Sequence, residues 1–197
     1  SEMCIRDRFS PEDLQLIKGE PQLRRRFFDM QIAQTDKAYY ELLVKYNRLL
    51  QQRNRLLKEI RDNNGYKGQL NLWNNELSAS AASIIKKRLA ALEELLVIAS
   101  GIYASIAGGS ESMLINYALK TSNDFILQQS DKSESEWQEF YLKELHERQA
   151  LDILRGNTSI GPHRDDLFFY VSGKLLKAFG SQGQQRTVAL LSLIHIS

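Results

Sequence analysis

The sequence predicts an α/β protein that is mostly helical, and three observations carry the prediction. Between Tyr39 and Ala99 apolar residues recur at steps of three and four, as helices with one buried face require. From Met113 to Leu119 the step shortens to two, the period of a half-buried strand. Between Leu167 and Phe179 two strand-like runs flank Ser172-Gly173, a hairpin pattern, and a helix-like run follows from Ser181.

At 197 residues the chain can bury one good core or two small ones, and its apolar and charged fractions are those of a globular protein. Its longest apolar runs, such as Leu95 to Ala99, are shorter than a membrane span, and no signal-peptide pattern opens it. A single cysteine, Cys4, excludes an internal disulfide framework and fits a cytoplasmic location; three histidines and no CxxC argue against a structural metal site. Charge is unevenly spread. Leu23 to Arg61 holds ten Lys or Arg against four Asp or Glu, whereas Asp131 to Asp152 holds three against seven.

Ser10-Pro11-Glu12-Asp13 has the chemistry of a helix start, which predicts a short helix over Pro11 to Ile17 ending at Gly19. Pro21 opens a second helix whose apolar face is expected at Leu23, Phe27 and Met30, with Arg24-Arg25-Arg26 turned away from it. The seam Tyr39, Leu42/Leu43, Tyr46, Leu49/Leu50, Arg53, Leu56/Leu57 and Ile60 follows a coiled-coil rhythm, with the head of Arg53 expected to reach water. Asn63-Asn64-Gly65 supplies a turn, and Trp73, Leu77, Ala81, Ile84/Ile85, Leu89, Leu92, Leu96 and Ala99 mark a returning helix. Two long helices joined by a short polar turn should pack antiparallel. Arg48, Arg55 and Lys58 on the first could neutralise nucleic-acid phosphates, though on charge alone a solvated helix face is the plainer account of them.

Beyond the strand at Met113, Ser133 and Glu136 form a capping box ahead of an amphipathic helix with Trp137, Phe140/Tyr141 and Leu145. The segment Arg155 to Asp166 is a polar, glycine-bearing loop. His163, Asp165 and Asp166 lack a fourth metal ligand, and His163-Arg164-Asp165 imitates a kinase catalytic loop without its asparagine, since Tyr170 stands at that place. A salt-bridged turn with Arg164 paired to Asp165 or Asp166 is the plain structural alternative. After the hairpin, Ser181 is a good N-cap, Gly183 permits close approach of a ligand, and the amides that follow lack intrahelical partners, so they can face a phosphate. The polar loop and this helix start bracket one hairpin and are expected on a common edge of the sheet.

Gly161-Pro162-His163-Arg164-Asp165-Asp166, followed after a hairpin by Ser181-Gln182-Gly183-Gln184-Gln185-Arg186-Thr187, closely resembles the RecF family of bacterial DNA replication and repair proteins. Phe9-Ser10-Pro11-Glu12-Asp13-Leu14, Lys18-Gly19, Arg25-Arg26, Tyr46, Gln52-Arg53-Asn54 and Trp73 agree with it in order, so the resemblance covers Phe9 to Leu193. It implies part of an ABC-type ATPase head, similar to those of SMC proteins, over residues 108–193, with a long antiparallel helical arm over 9–107. It further implies that Ser181, Gly183 and Gln184 are the signature positions that touch ATP, with its Mg2+, held by the opposing subunit. His163, Arg164 and Asp165 would support the site. DNA, a second copy of the chain, and RecR and RecO proteins are the implied partners, in recombinational repair and the SOS response.

The family also carries a GxxxxGKT phosphate loop and an acidic Walker B strand, and neither occurs in this sequence, so the 197 residues are expected to be catalytically inactive alone. Residues 1–8 and 194–197 do not resemble the family and are expected to be foreign tails. Two other readings compete: a non-enzymatic helical-hairpin interaction module, and an arm-and-head fragment of another SMC-like ATPase.

Overall fold

A computed structural model describes residues 15–62, 66–121, 125–127 and 132–192. Both expected tails, the turn at Asn63-Asn64-Gly65 and the helix start at Ser10 to Leu14 lie outside these residues. The first described helix is α1 (Gln15–Lys18), closed at Gly19, and α2 (Pro21–Thr35) starts with proline in its first turn.

The buried face of α2 is Arg24, Phe28, Gln31 and Ile32, whereas Leu23 and Met30 are exposed. This overturns the apolar face expected at Leu23, Phe27 and Met30, of which only Phe27 packs against the core. The expectation failed because it counted apolar residues only, and the helix instead turns an arginine inward to meet a buried carboxylate.

Asp36 caps α3 (Lys37–Arg61) by accepting a bond from the Tyr39 amide. Tyr39, Tyr46, Arg53, Leu56, Leu57 and Ile60 are buried, so the expected seam is the packed one. The returning helix, α4 (Leu70–Ile106), is continuous over 37 residues. Tyr39 meets Arg88 while Arg53 meets Asn74, so ascending residues of α3 pair with descending residues of α4 and the two run antiparallel. By length and composition α4 is apolar enough to cross a membrane, which the short apolar runs of the sequence do not suggest. Its packing against α2, α3, the sheet and two later helices makes it the central core helix.

The sheet has the order β2-β1-β3-β4 and is antiparallel throughout, with β1 (Met113–Lys120), β2 (Phe125–Leu127), β3 (Asp166–Val171) and β4 (Lys174–Leu175). Ile115 lies opposite Phe169 and Tyr117 opposite Leu167, which puts the alternating apolar residues of both long strands on one face. That face packs on α2 and α4. α5 (Glu134–Glu147) has the reciprocal Ser133 and Glu136 capping box and lays Trp137, Tyr141 and Leu145 along α4; α6 (Gln149–Arg155) ends at Gly156.

The hairpin turns at Ser172 (φ 49°) and Gly173 (φ 75°), the two positive values that a tight two-residue turn needs. Its second strand is shorter than expected. Leu176–Phe179 forms a helical turn, α7, in place of strand, and α8 (Gln182–Ser192) follows. One apolar cluster runs from Leu16 to Leu191, crossing from the helical hairpin into the sheet.

Candidate functional site

Three arginines occupy positions on helical stripes where an apolar residue would ordinarily sit, and each finds an aspartate. From α2, Arg24 grips Asp166 through Nε and Nη2, at 2.7 and 2.8 Å. From α3, Arg53 donates through Nη1 to Asp152 at 2.9 Å and Thr158 at 2.7 Å, and through Nε to Asn74 at 2.8 Å. From α4, Arg88 grips Asp29 at 2.8 and 2.9 Å and donates Nη1 to the Pro162 carbonyl and the Tyr117 hydroxyl. All three guanidinium side chains are almost entirely buried. A lone buried charge would cost several kcal/mol, so the pairs lock the helices to the polar loop in one register.

The loop from Gly156 to Asp165 is thereby fixed. Thr158 is held by Asn54, whose side-chain oxygen accepts from both its amide and its hydroxyl at 2.7 Å. Ser159 is held by Asp152 in the same two ways. Gly161 has φ +129°, and a side chain there would strike the Tyr46 hydroxyl, so only glycine suits the position.

His163 has both ring nitrogens engaged: Nε2 donates to the Thr158 carbonyl at 3.1 Å, and Nδ1 accepts from the Tyr46 hydroxyl at 2.7 Å. That is the neutral imidazole. Burial, reinforced by the neighbouring charges of Arg164, Arg25 and Arg88, lowers its pKa to about 3. Asp165 accepts from the Lys120 amide at 2.9 Å and from the Tyr117 and Tyr141 hydroxyls at 3.0 and 3.2 Å. Burial still dominates and raises its pKa to about 6. Arg164 pairs with neither Asp165 nor Asp166, contrary to the salt-bridged turn considered above; it donates to the Thr158 carbonyl, because Arg24 already holds Asp166.

The helix start at Ser181 lies elsewhere. Ser181 Oγ accepts from the Gln184 amide at 3.2 Å, and the Ser181 amide donates to Gln184 Oε1 at 2.9 Å, a reciprocal cap. Gln184 Nε2 donates to Glu111 at 2.8 Å, so this side chain is committed to holding the cap. Ser181 and Gly183 are exposed. Glu111 precedes the Met113 end of β1, whereas Asp165 binds the Lys120 end. The loop and the helix start therefore stand at opposite ends of the β1–β3 ladder, roughly 20 Å apart at strand rise. The expected common edge does not exist, because the hairpin and α7 carry the chain away from the loop before α8 begins.

Arg48, Arg55 and Lys58 are exposed on α3, and Arg55 pairs with Glu59 one turn on. Sequence reasoning missed Arg24 and Arg88 as organising residues. Their signal was present: each falls on the apolar stripe of its helix, four residues before Phe28 and before Leu92.

A helical hairpin rooted on a small antiparallel sheet, with a capped helix start beyond it, is the class of part of an ABC-type ATPase head carrying an arm. The family is RecF. No family model matches, but the chain is 39% identical over 190 residues to the DNA replication and repair protein RecF of Heliobacterium modesticaldum, covering 96% of this chain and 49% of that protein. The RecF of Agathobacter rectalis is 41% identical over 190 residues, at 96% and 48% coverage. Two solved structures of the recombination mediator protein RecF in the RecFOR pathway, one described as RecF-ATP and one as RecF-ATPrS, match with a TM-score of 0.85 and 33% identity. They cover 93% of this chain and 48% of theirs. The chain thus spans about half the length of the curated relatives it matches.

Proposed function

We propose that this chain supplies the arm and the signature half of a composite ATP site in a RecF-like DNA-repair ATPase. The protein would act on DNA in the cytoplasm as an ATP-dependent dimer, alongside RecR- and RecO-like proteins. The observation that carries the reading is the start of α8: Ser181 and Gly183 are presented to solvent on a capped eleven-residue helix, in a chain whose fold matches a RecF structure described with ATP.

An anion at such a helix start gains roughly 1 kcal/mol from the helix end alone, so hydroxyl and amide donors must act together. Ser181 and Gly183 would meet the γ-phosphate, and Gln184 would position Ser181 through the cap. Mg2+ would arrive with nucleotide held by the opposing subunit. His163, Arg164 and Asp165 would act by holding the loop rigid and not by touching this phosphate, since they stand at the other end of the ladder.

The test places Ser181→Arg in a complete RecF chain carrying this segment and measures mass by light scattering with and without ATP. The variant should lose ATP-dependent dimerisation while its monomer keeps its unfolding midpoint to within the ~1 kcal/mol of a lost cap. A dimer that still forms would overturn the assignment.

A further inference from the structure

A groove lies away from α8. It opens between α2, α3 and the 161–164 loop, encloses about 730 Å³, and has two unlike walls. One wall is cationic, with Arg25, Arg26 and Arg164. The other, on α3, carries Leu43 and Tyr40, of which Tyr40 is 58% exposed, while Met30 stands one turn beyond Arg26 on the α2 side.

The cations are available. The one carboxylate lining the groove, Asp29, is already gripped by Arg88. Arg26 has no acidic partner among the described residues, and Arg25 and Arg164 spend donors only on the carbonyls of Asp165 and Thr158. The groove therefore carries uncompensated positive charge. Its shape is held from beneath by the Arg88 bond to Pro162 and by the Tyr46 bond to His163.

We infer that this groove binds single-stranded nucleic acid, with phosphates on Arg25, Arg26 and Arg164 and a base stacked on Tyr40. A cationic track beside an exposed aromatic ring is the arrangement that single strands use, because every base has a face to stack. A duplex hides its bases and would leave the apolar wall without a role. The inference rests on the DNA-binding reading but moves the contact from the Arg48, Arg55 and Lys58 side of α3 to the groove beside α2.

The test uses a complete RecF chain carrying this segment and a fluorescent oligothymidine of about 30 nucleotides, read by anisotropy across a salt series. Arg26→Glu with Arg164→Glu should weaken binding at least roughly tenfold and flatten the salt slope by about 1.4, two single-strand phosphates' worth. Tyr40→Ala should weaken binding several-fold with the slope unchanged, and Tyr40→Trp should restore it. Unaltered affinity and slope in the double variant would overturn the groove, and so would a loss seen with a duplex of the same length but not with the single strand. Reversal of Arg48, Arg55 and Lys58 separates the two readings: if it alone weakens binding, DNA binding stands and the groove falls. If the unaltered protein binds no oligonucleotide at all, the DNA-binding reading itself falls.

Discussion

Replacing Arg53 by Met tests whether the buried arginines hold the arm to the head. Methionine keeps the apolar stem but removes the three bonds to Asn74, Asp152 and Thr158. Asp152 would stay buried, still accepting from Ser159 through Oδ1 but with its charge uncompensated. Breaking one side of such a pair costs about 3–5 kcal/mol, far more than the ~1 kcal/mol of an ordinary hydrogen bond. One nitrogen of Arg53, Nη2, has no hydrogen-bond partner among the described residues, so the lower half of that range is expected. Urea unfolding monitored by circular dichroism should therefore show a loss of about 3 kcal/mol with little change in slope. Adding Asp152→Asn, which removes the stranded charge but keeps an acceptor for Ser159, should recover about 1–2 kcal/mol through coupling. A loss below about 1 kcal/mol for Arg53→Met, or a double variant that is simply additive, would refute the reasoning.

Three further outcomes follow from the loop. The pKa of Asp165 is raised in the fold to about 6 from an ordinary 3.8, so its contribution is full below pH 3.8 and is lost as pH rises through 6; the stability advantage of the parent over Asp165→Asn should shrink by roughly 2 kcal/mol between pH 4 and 7. The His163 shift runs the other way, its contribution present above pH 6.5 and lost on acidification, so urea midpoints of the parent should vary less over pH 4 to 6 than those of Asp165→Asn. Gly161→Ala should cost roughly 2 kcal/mol or more in the same assay, because it strains φ and displaces the Tyr46 hydroxyl from His163.

The seam of α3 and α4, the alternation of β1, the capping box of α5 and the two-residue hairpin turn were legible because each is a local pattern with one physical reading. The face of α2 was not. Arg24 looks solvated until Asp166, 142 residues away in sequence, is folded against it. Arg53 was recognised in its seam, yet its head does not reach water, since Asp152 and Thr158 lie 99 and 105 residues on. Periodicity locates a stripe but cannot name the partner that makes an arginine belong there. The same limit applies to the site: Ser181 and Gly183 were readable as a helix start, whereas the separation of that start from His163 depends on which end of β1 each motif reaches.

The central claim is that the start of α8 completes an ATP site on another subunit, and mixed subunits test it most directly. One complete chain carries Ser181→Arg, the other a substitution of the lysine in its phosphate loop. Neither should associate with ATP alone. Mixed together, they should regain ATP-dependent association, because one intact loop then faces one intact Ser181 across the interface. If the mixture remains monomeric while both variants are folded, Ser181 does not act across subunits and the account is contradicted.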